Sequence, residues 1–243
     1  MRLGEATTPD GMRVYAIGDV HGCDAKLAEV HAKVAGDLVA RPVADHRIVH
    51  IGDYTDRGPD SAAAVERVVA LAAEDPGVIS LMGNHDEMLL AFLREPAAVG
   101  PNYLSDNMGG RATLASYGVG VSRFAWLMSD FAALARKLDE HMPATHRAFF
   151  DGLSLSVRLG DYFFCHAGIR PGVPLDRQDP TDLIWIREPF LLDGSDHGVV
   201  VVHGHTPMPA PEVQPNRINI DTGAVYGGPL TCLALEGTEY RFL

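Results

Sequence analysis

The feature that most constrains this chain is an alternation in its first half: an apolar run, a tight turn dense in Asp, Asn and His, then an amphipathic helical stretch. It is met three times. Residues 13–18 (RVYAIG) run into Asp19-Val20-His21-Gly22, and Leu27, Val30 and Val34 follow at helical spacing. Residues 47–51 (RIVHI) run into Gly52-Asp53. Pro59-Asp60-Ser61 then reads as a helix start, with Val65, Val68, Val69 and Ala72 on its apolar face. Residues 77–82 (GVISLM) run into Gly83-Asn84-His85-Asp86, ahead of an apolar helical stretch at 87–93. Strand, loop and helix in alternation predict an α/β layered fold. In such folds ligands bind beyond the carboxyl ends of the strands, where all three polar clusters lie.

Beyond residue 95 the pattern changes. Residues 95–150 carry Pro96, Pro101, Gly109, Gly110 and Pro143 among helical pieces, and read as a mainly helical cap insertion over the site. Strand-like runs follow at 153–159, 161–165, 199–203, 217–221 and 230–235, separated by turns, which predicts a mixed or antiparallel sheet. A chain of 243 residues can bury one sizeable core, and residues 1–243 are expected to form a single catalytic domain.

The formal net charge of −12 repels nucleic-acid backbones, so no nucleic-acid partner is expected. It also repels anionic substrates at long range, so positive charge would have to be supplied locally. No apolar run reaches bilayer-spanning length, and the start, MRLGEATTPDG, lacks the apolar stretch of a signal peptide. A cytoplasmic protein without a membrane partner is the expectation. Cys23, Cys165 and Cys232 are odd in number and far apart, and read as small buried apolar residues.

Five motifs carry the chemistry: Asp19-Val20-His21-Gly22; Gly52-Asp53-Tyr54-Thr55-Asp56-Arg57-Gly58; Gly83-Asn84-His85-Asp86; Cys165-His166-Ala167-Gly168; and Gly204-His205-Thr206. Asp, Asn and His suit Mn, Fe or Zn ions. Asp-x-His would put two ligands on one side of an extended turn. A Gly-Asp-x-x-Asp-Arg-Gly match arises by chance about 3 times in ten million placements.

On these motifs, over residues 12 to 228, the chain resembles the phosphoprotein phosphatase branch of the calcineurin-like metallophosphoesterases. It is most similar to the bacterial and phage-lambda-type serine/threonine phosphatases. Leu183–Glu188 and Ile220–Val225 also match that branch. The resemblance implies a four-layer β-sandwich flanked by helices. It implies two divalent ions, Mn²⁺ first among them: Asp19 and His21 on the first, Asp53 bridging, and Asn84, His166 and His205 on the second. His85 would be the general acid, oriented by Asp56, and Arg57 and Arg187 would grip phosphoryl oxygens. Broader relatives carry Gly-His-x-His, but Pro207 stands at the last position here, as in the phosphatase branch. His203 is a candidate to support the ligands from behind, and Asp221 to hold a turn.

Two ions roughly 3.5–4 Å apart clamp both sides of an in-line displacement and acidify a shared water, so no covalent phosphoenzyme is needed. Arginine forks match phosphate, and a histidine can protonate the leaving oxygen. The implied activity is hydrolysis of phosphoserine and phosphothreonine, with phosphotyrosine as a further substrate, on a protein or peptide partner. A symmetric diadenosine tetraphosphate hydrolase is the alternative, since it shares the metal motifs. The resemblance also places an aromatic residue near the phosphate at Tyr226 and makes Arg111 a candidate substrate contact. Blander readings stand beside these: surface salt bridges for Arg187 and Arg111, packing for Tyr226, and surface or packing positions for His31, His46, His50, His141, His146 and His197.

Overall fold

The computed structural model describes residues 2–122 and 130–243. Strand β1 (Met12–Ile17) is buried from Arg13 onward, as a central strand must be. It pairs in parallel with β2 (Asp45–His50), which pairs in parallel with β3 (Val78–Ser80). On its other side β1 meets β9 (Cys232–Glu236) antiparallel, and β10 (Glu239–Phe242) closes that edge. A second sheet has the order β4-β5-β6-β8-β7: β4 (Ser156–Leu159), β5 (Tyr162–Cys165), β6 (Val200–His203), β8 (Arg217–Asn219) and β7 (Glu212–Val213). Strands β5, β6 and β8 run parallel, and the edge strands run against them.

Alternation along each strand builds the layers. Val14, Ala16, Val49, Leu233 and Leu235 face inward from the first sheet, against Tyr162, Phe164, Val200, Val202 and Ile218 from the second. Tyr15, Ile17, Ile48 and Ala234 face the other way, under helices α1 (Asp24–Ala40) and α2 (Ser61–Glu74), which contribute Leu27, Val30, Val34, Val65 and Val68. Phe163, Cys165 and Val201 pack with Leu183 and Ile184 on the far side of the second sheet. The result is the expected helix–sheet–sheet–helix order. Asp60 caps α2, its side chain accepting from the Ala63 amide at 3.0 Å, where the sequence predicts the helix start.

Two boundaries and two edge strands differ from expectation. Helix α3 (Asn84–Arg94) begins at Asn84, so the Asn84-His85 pair occupies its first turn and not a loop before it. Strand β3 is only Val78–Ser80, continued by a single bridge from Leu81 to Ser154. The edge strands β7 and β10 were not foreseen: β7 is only two residues long, and β10, whose Glu239-Tyr240-Arg241-Phe242 alternates over just four residues, leaves Tyr240 and Phe242 partly in solvent.

The segment 95–150 contributes α4 (Pro96–Tyr103), α5 (Gly110–Ser116), α6 (Phe131–His141) and α7 (Ala144–Asp151). Tyr103, Leu114, Leu138 and Phe150 join the core beneath α1 and α2. Residues 123–129 of that segment lie outside the described residues. Among the described residues no helix is long and apolar enough to cross a membrane.

Ile218 is fully buried between the sheets. Ile218→Ala should lower stability by roughly 2–5 kcal/mol in urea unfolding. Val39→Ala, at an exposed position, should stay within about 0.5 kcal/mol.

Candidate active site

The polar clusters meet past the carboxyl ends of the strands of both sheets, and the backbone there is unusual. His21, Asp53, Asp56, Arg57 and His205 all have positive φ, between 43° and 73°, a region side-chain-bearing residues rarely adopt. Each such residue costs on the order of 1–3 kcal/mol and persists only where its surroundings hold it. The turn at His21 is therefore left-handed and not the extended turn expected. Two glycines make room: a Cβ on Gly83 would overlap the Asp53 carboxylate, and one on Gly204 would overlap that of Asp19.

Asp86 supplies much of the restraint. Its buried carboxylate accepts from the amides of Asp53 (2.7 Å), Tyr54 (3.1 Å) and Gly83 (3.1 Å) and from the Thr55 hydroxyl (3.3 Å). The turn after β2 is thereby fastened to the start of α3. Asp86 stands in a motif noted in the sequence, but its role was missed; an acid in the first turn of a helix was the available signal.

Around Asp53 the donors converge. Its Oδ2 lies 3.4 Å from His21 Nε2 and 3.4 Å from His166 Nε2. Two groups of candidate metal donors result, His21–Asp53–His85 and Asp19–Asp53–His166, and Asp53 belongs to both. Asn84 Oδ1 lies 3.0 Å from His166 Nε2 and 2.8 Å from His205 Nδ1. His21 Nδ1 donates to the Thr55 carbonyl (2.8 Å) and His166 Nδ1 to that of Ile51 (3.0 Å), which aims Nε2 of each ring at the centre, as ligating histidines require. Asp19 Oδ1 and His205 Nε2 are buried and, among the described residues, without a hydrogen-bond partner. A hard and borderline N/O donor set with buried, unanswered acceptors fits divalent cations.

The charges are balanced accordingly. Burial, then the nearby Asp221 charge, pushes Asp19 well above the usual carboxylate range. Burial acts the same way on Asp53, but His166 and other histidines outweigh it and hold Asp53 well below that range. Burial would lower His166, yet Asp53 and Asp19 push it up to about 9. Burial brings His21 down to about 3 and His205 to about 2.

His85 Nδ1 lies 2.7 Å from Asp56 Oδ2, and both residues are buried. The other Asp56 oxygen accepts from Tyr103 Oη (2.9 Å) and Thr113 Oγ1 (2.6 Å), so α4 and α5 reach the site through this carboxylate. Arg57 Nη1 donates to His21 Nε2 at 2.8 Å, and its guanidinium lies 5.9 Å from the Tyr226 ring centre. Arg187 hydrogen-bonds Thr206 Oγ1 at 3.0 Å. Both arginines line a cleft of about 340 Å³ with His21, Asp53, Asn84, His85 and His205. Trp185 and Asp221, not assigned to substrate from the sequence, line it too. Asp221 also accepts from the Gly223 amide (3.0 Å), as a turn-holding residue would. His203 is buried behind, edge-on to Phe190. Arg111 pairs with Asp106.

A model of the calcineurin-like phosphoesterases matches residues 12–235. The chain belongs to that family of divalent-metal-dependent hydrolases. Among its relatives, the asymmetrical bis(5'-nucleosyl)-tetraphosphatase PrpE of Oceanobacillus iheyensis is 27% identical over 94% of this chain and 91% of its own. The protein of the same name from Bacillus mycoides is 30% identical, covering 94% and 92%. A crystal structure of a candidate diadenosine tetraphosphatase superposes with a TM-score of 0.65 at 23% identity, covering 98% of this chain and 97% of that one. The cold-active protein-tyrosine phosphatase of a psychrophilic Shewanella superposes at 0.54 and 15%, covering 99% and 84%. At these identities the two structures speak for the fold. The relatives carry the tetraphosphatase name, where the motifs alone had pointed to protein phosphatases.

Chelation should abolish hydrolysis, and Mn²⁺ should restore it. Asp53→Asn should lose binuclear occupancy in elemental analysis. Two tightly held ions and normal turnover in that variant would refute Asp53 as the shared ligand.

Proposed function

We propose that the chain hydrolyses bis(5'-nucleosyl) tetraphosphates, cutting the bridge asymmetrically. The observation that carries the phosphoester chemistry is the Asp53 carboxylate shared between two donor groups. The substrate class is supported by relatives 27–30% identical along nearly the whole chain. Residues Leu183–Glu188, which favoured a protein phosphatase in the sequence, contribute Trp185 and Arg187 to the cleft and suit either substrate.

In this reading Asp19, His21, Asp53, Asn84, His166 and His205 hold two divalent ions, Mn²⁺ first among them. When bound, such ions supply positive charge and acidify the attacking water. Arg57 and Arg187 hold the oxygens of the attacked phosphoryl group, and their charge grows in value as the transition state gains negative charge. Asp56 accepts the Nδ1 proton of His85 and fixes the ring, which leaves Nε2 to hand a proton to the departing oxygen. Water adds OH to phosphorus, the P–O bond to the bridging oxygen breaks, the leaving oxygen takes the proton of His85, and the proton released by the water restores His85. Asymmetrical cleavage gives a mononucleotide and a nucleoside triphosphate; symmetrical cleavage gives two diphosphates.

With Mn²⁺ supplied, diadenosine tetraphosphate should yield AMP and ATP in equal amounts on anion exchange. ADP alone would assign symmetrical cleavage. Absence of turnover beside brisk phosphopeptide hydrolysis would restore the protein-phosphatase reading.

His85 can be tested by leaving group. A phosphate leaves from an anhydride as a weak base, whereas a serine alkoxide is strongly basic and needs its proton. His85→Asn should slow phosphoserine hydrolysis by roughly 10²–10⁴-fold, and diadenosine tetraphosphate hydrolysis clearly less. Equal losses with metal content intact would mean that His85 positions substrate and donates no proton.

A further inference from the structure

Tyr226 is a large aromatic residue left 66% exposed, yet the loop that carries it is firmly held. Lys26 Nζ, on α1, donates to the carbonyls of Ala224 (2.7 Å) and Gly228 (2.5 Å) on either side of it. Thr222 Oγ1 donates to Pro229 O at 2.7 Å and closes the loop at its base. An exposed ring on an immobilised loop is a surface prepared before any ligand arrives. The ring stands between two clefts. One is the cleft of the candidate metal residues; the other, of about 470 Å³, is lined by Asn107, Gly109, Arg111 and Ala112 of the 95–150 segment. Arg57, Asn107, Val225 and Tyr226 line both.

We propose that Tyr226 is the stacking platform for the base of one nucleoside, seated where the two clefts meet. The inference rests on the tetraphosphate reading and adds to it the residue that recognises the nucleoside. Every base offers a π face, so an aromatic platform suits a substrate class defined by nucleosides in general and not by one base. Arg57 gives the geometry its scale. Its guanidinium hydrogen-bonds His21 at one end and lies over one face of the Tyr226 ring, 5.9 Å from its centre, which leaves the opposite face for a base. A base on Tyr226 is therefore a short reach from the phosphoryl group that Arg57 would hold. That spacing suits attack at the phosphorus nearest the nucleoside, which is the asymmetrical cut. The rest of the bridge would leave along the open second cleft.

The test compares wild type, Tyr226→Ala and Tyr226→Phe, each loaded with Mn²⁺. It reads the KM for diadenosine tetraphosphate and the inhibition constants of AMP and inorganic phosphate against that reaction. Loss of one stacked base should raise the KM, and shrink the advantage of AMP over phosphate, by roughly 5- to 100-fold in Tyr226→Ala. Tyr226→Phe keeps the ring and should stay within about 3-fold of wild type. An unchanged AMP advantage in Tyr226→Ala overturns the platform while leaving the tetraphosphate reading intact. Wild type that does not cleave the dinucleotide overturns both.

Discussion

The carboxylate of Asp86 accepts hydrogen bonds from Gly83, Asp53, Tyr54 and Thr55, and joins the end of one strand to the beginning of one helix. The rest of the centre depends on that joint. Asp53 is held in a left-handed conformation, with its side chain pointing where ligands from both sheets arrive. The His85 amide donates to Asp53 Oδ1 at 3.0 Å, so Asn84 and His85 are indexed to the same carboxylate. Strain in the loops is thus met by hydrogen bonds that never face the substrate.

Electrostatics follows from the same crowding. Asp19, Asp53, Asp86 and Asp221 are buried within one region of a chain whose net charge is −12. Burying that much negative charge is tolerable only where cations or shared protons answer it. Arg57 and Arg187 reach the cleft from separate parts of the chain, which places two positive side chains there in a strongly acidic protein.

How far the sequence revealed this depends on how local each feature is. The β1–α1, β2–α2 and β3–α3 units were legible because each is written in a single stretch of chain. The candidate donors Asp19, His21, Asp53, Asn84, His166 and His205 could be picked out because each stands in a short motif, and the fold brings those motifs together past the strand ends. What escaped was non-local. Tyr103 and Thr113 anchor Asp56 from helices about fifty residues further along, and no spacing rule links them. The left-handed His21 has no signature either, since Asp-Val-His-Gly fits an extended turn equally well. The exposed edge strand β10 was missed although Glu239-Tyr240-Arg241-Phe242 alternates polar and apolar residues, because a signal only four residues long was overlooked. Substrate preference was illegible for a related reason: the same metal motifs are common to several activities.

The candidate ligands follow strands of both sheets: Asp19, His21, Asp53 and Asn84 come after β1, β2 and β3 of the first, and His166 and His205 after β5 and β6 of the second. This division has a consequence for synthesis. A chain emerging from its amino end displays four of those side chains, two of them carboxylates, long before His166 and His205 exist. The first sheet itself is finished only by β9 and β10, at the end of the chain, so if these residues hold the ions, the full donor set belongs to the folded protein and not to its nascent half.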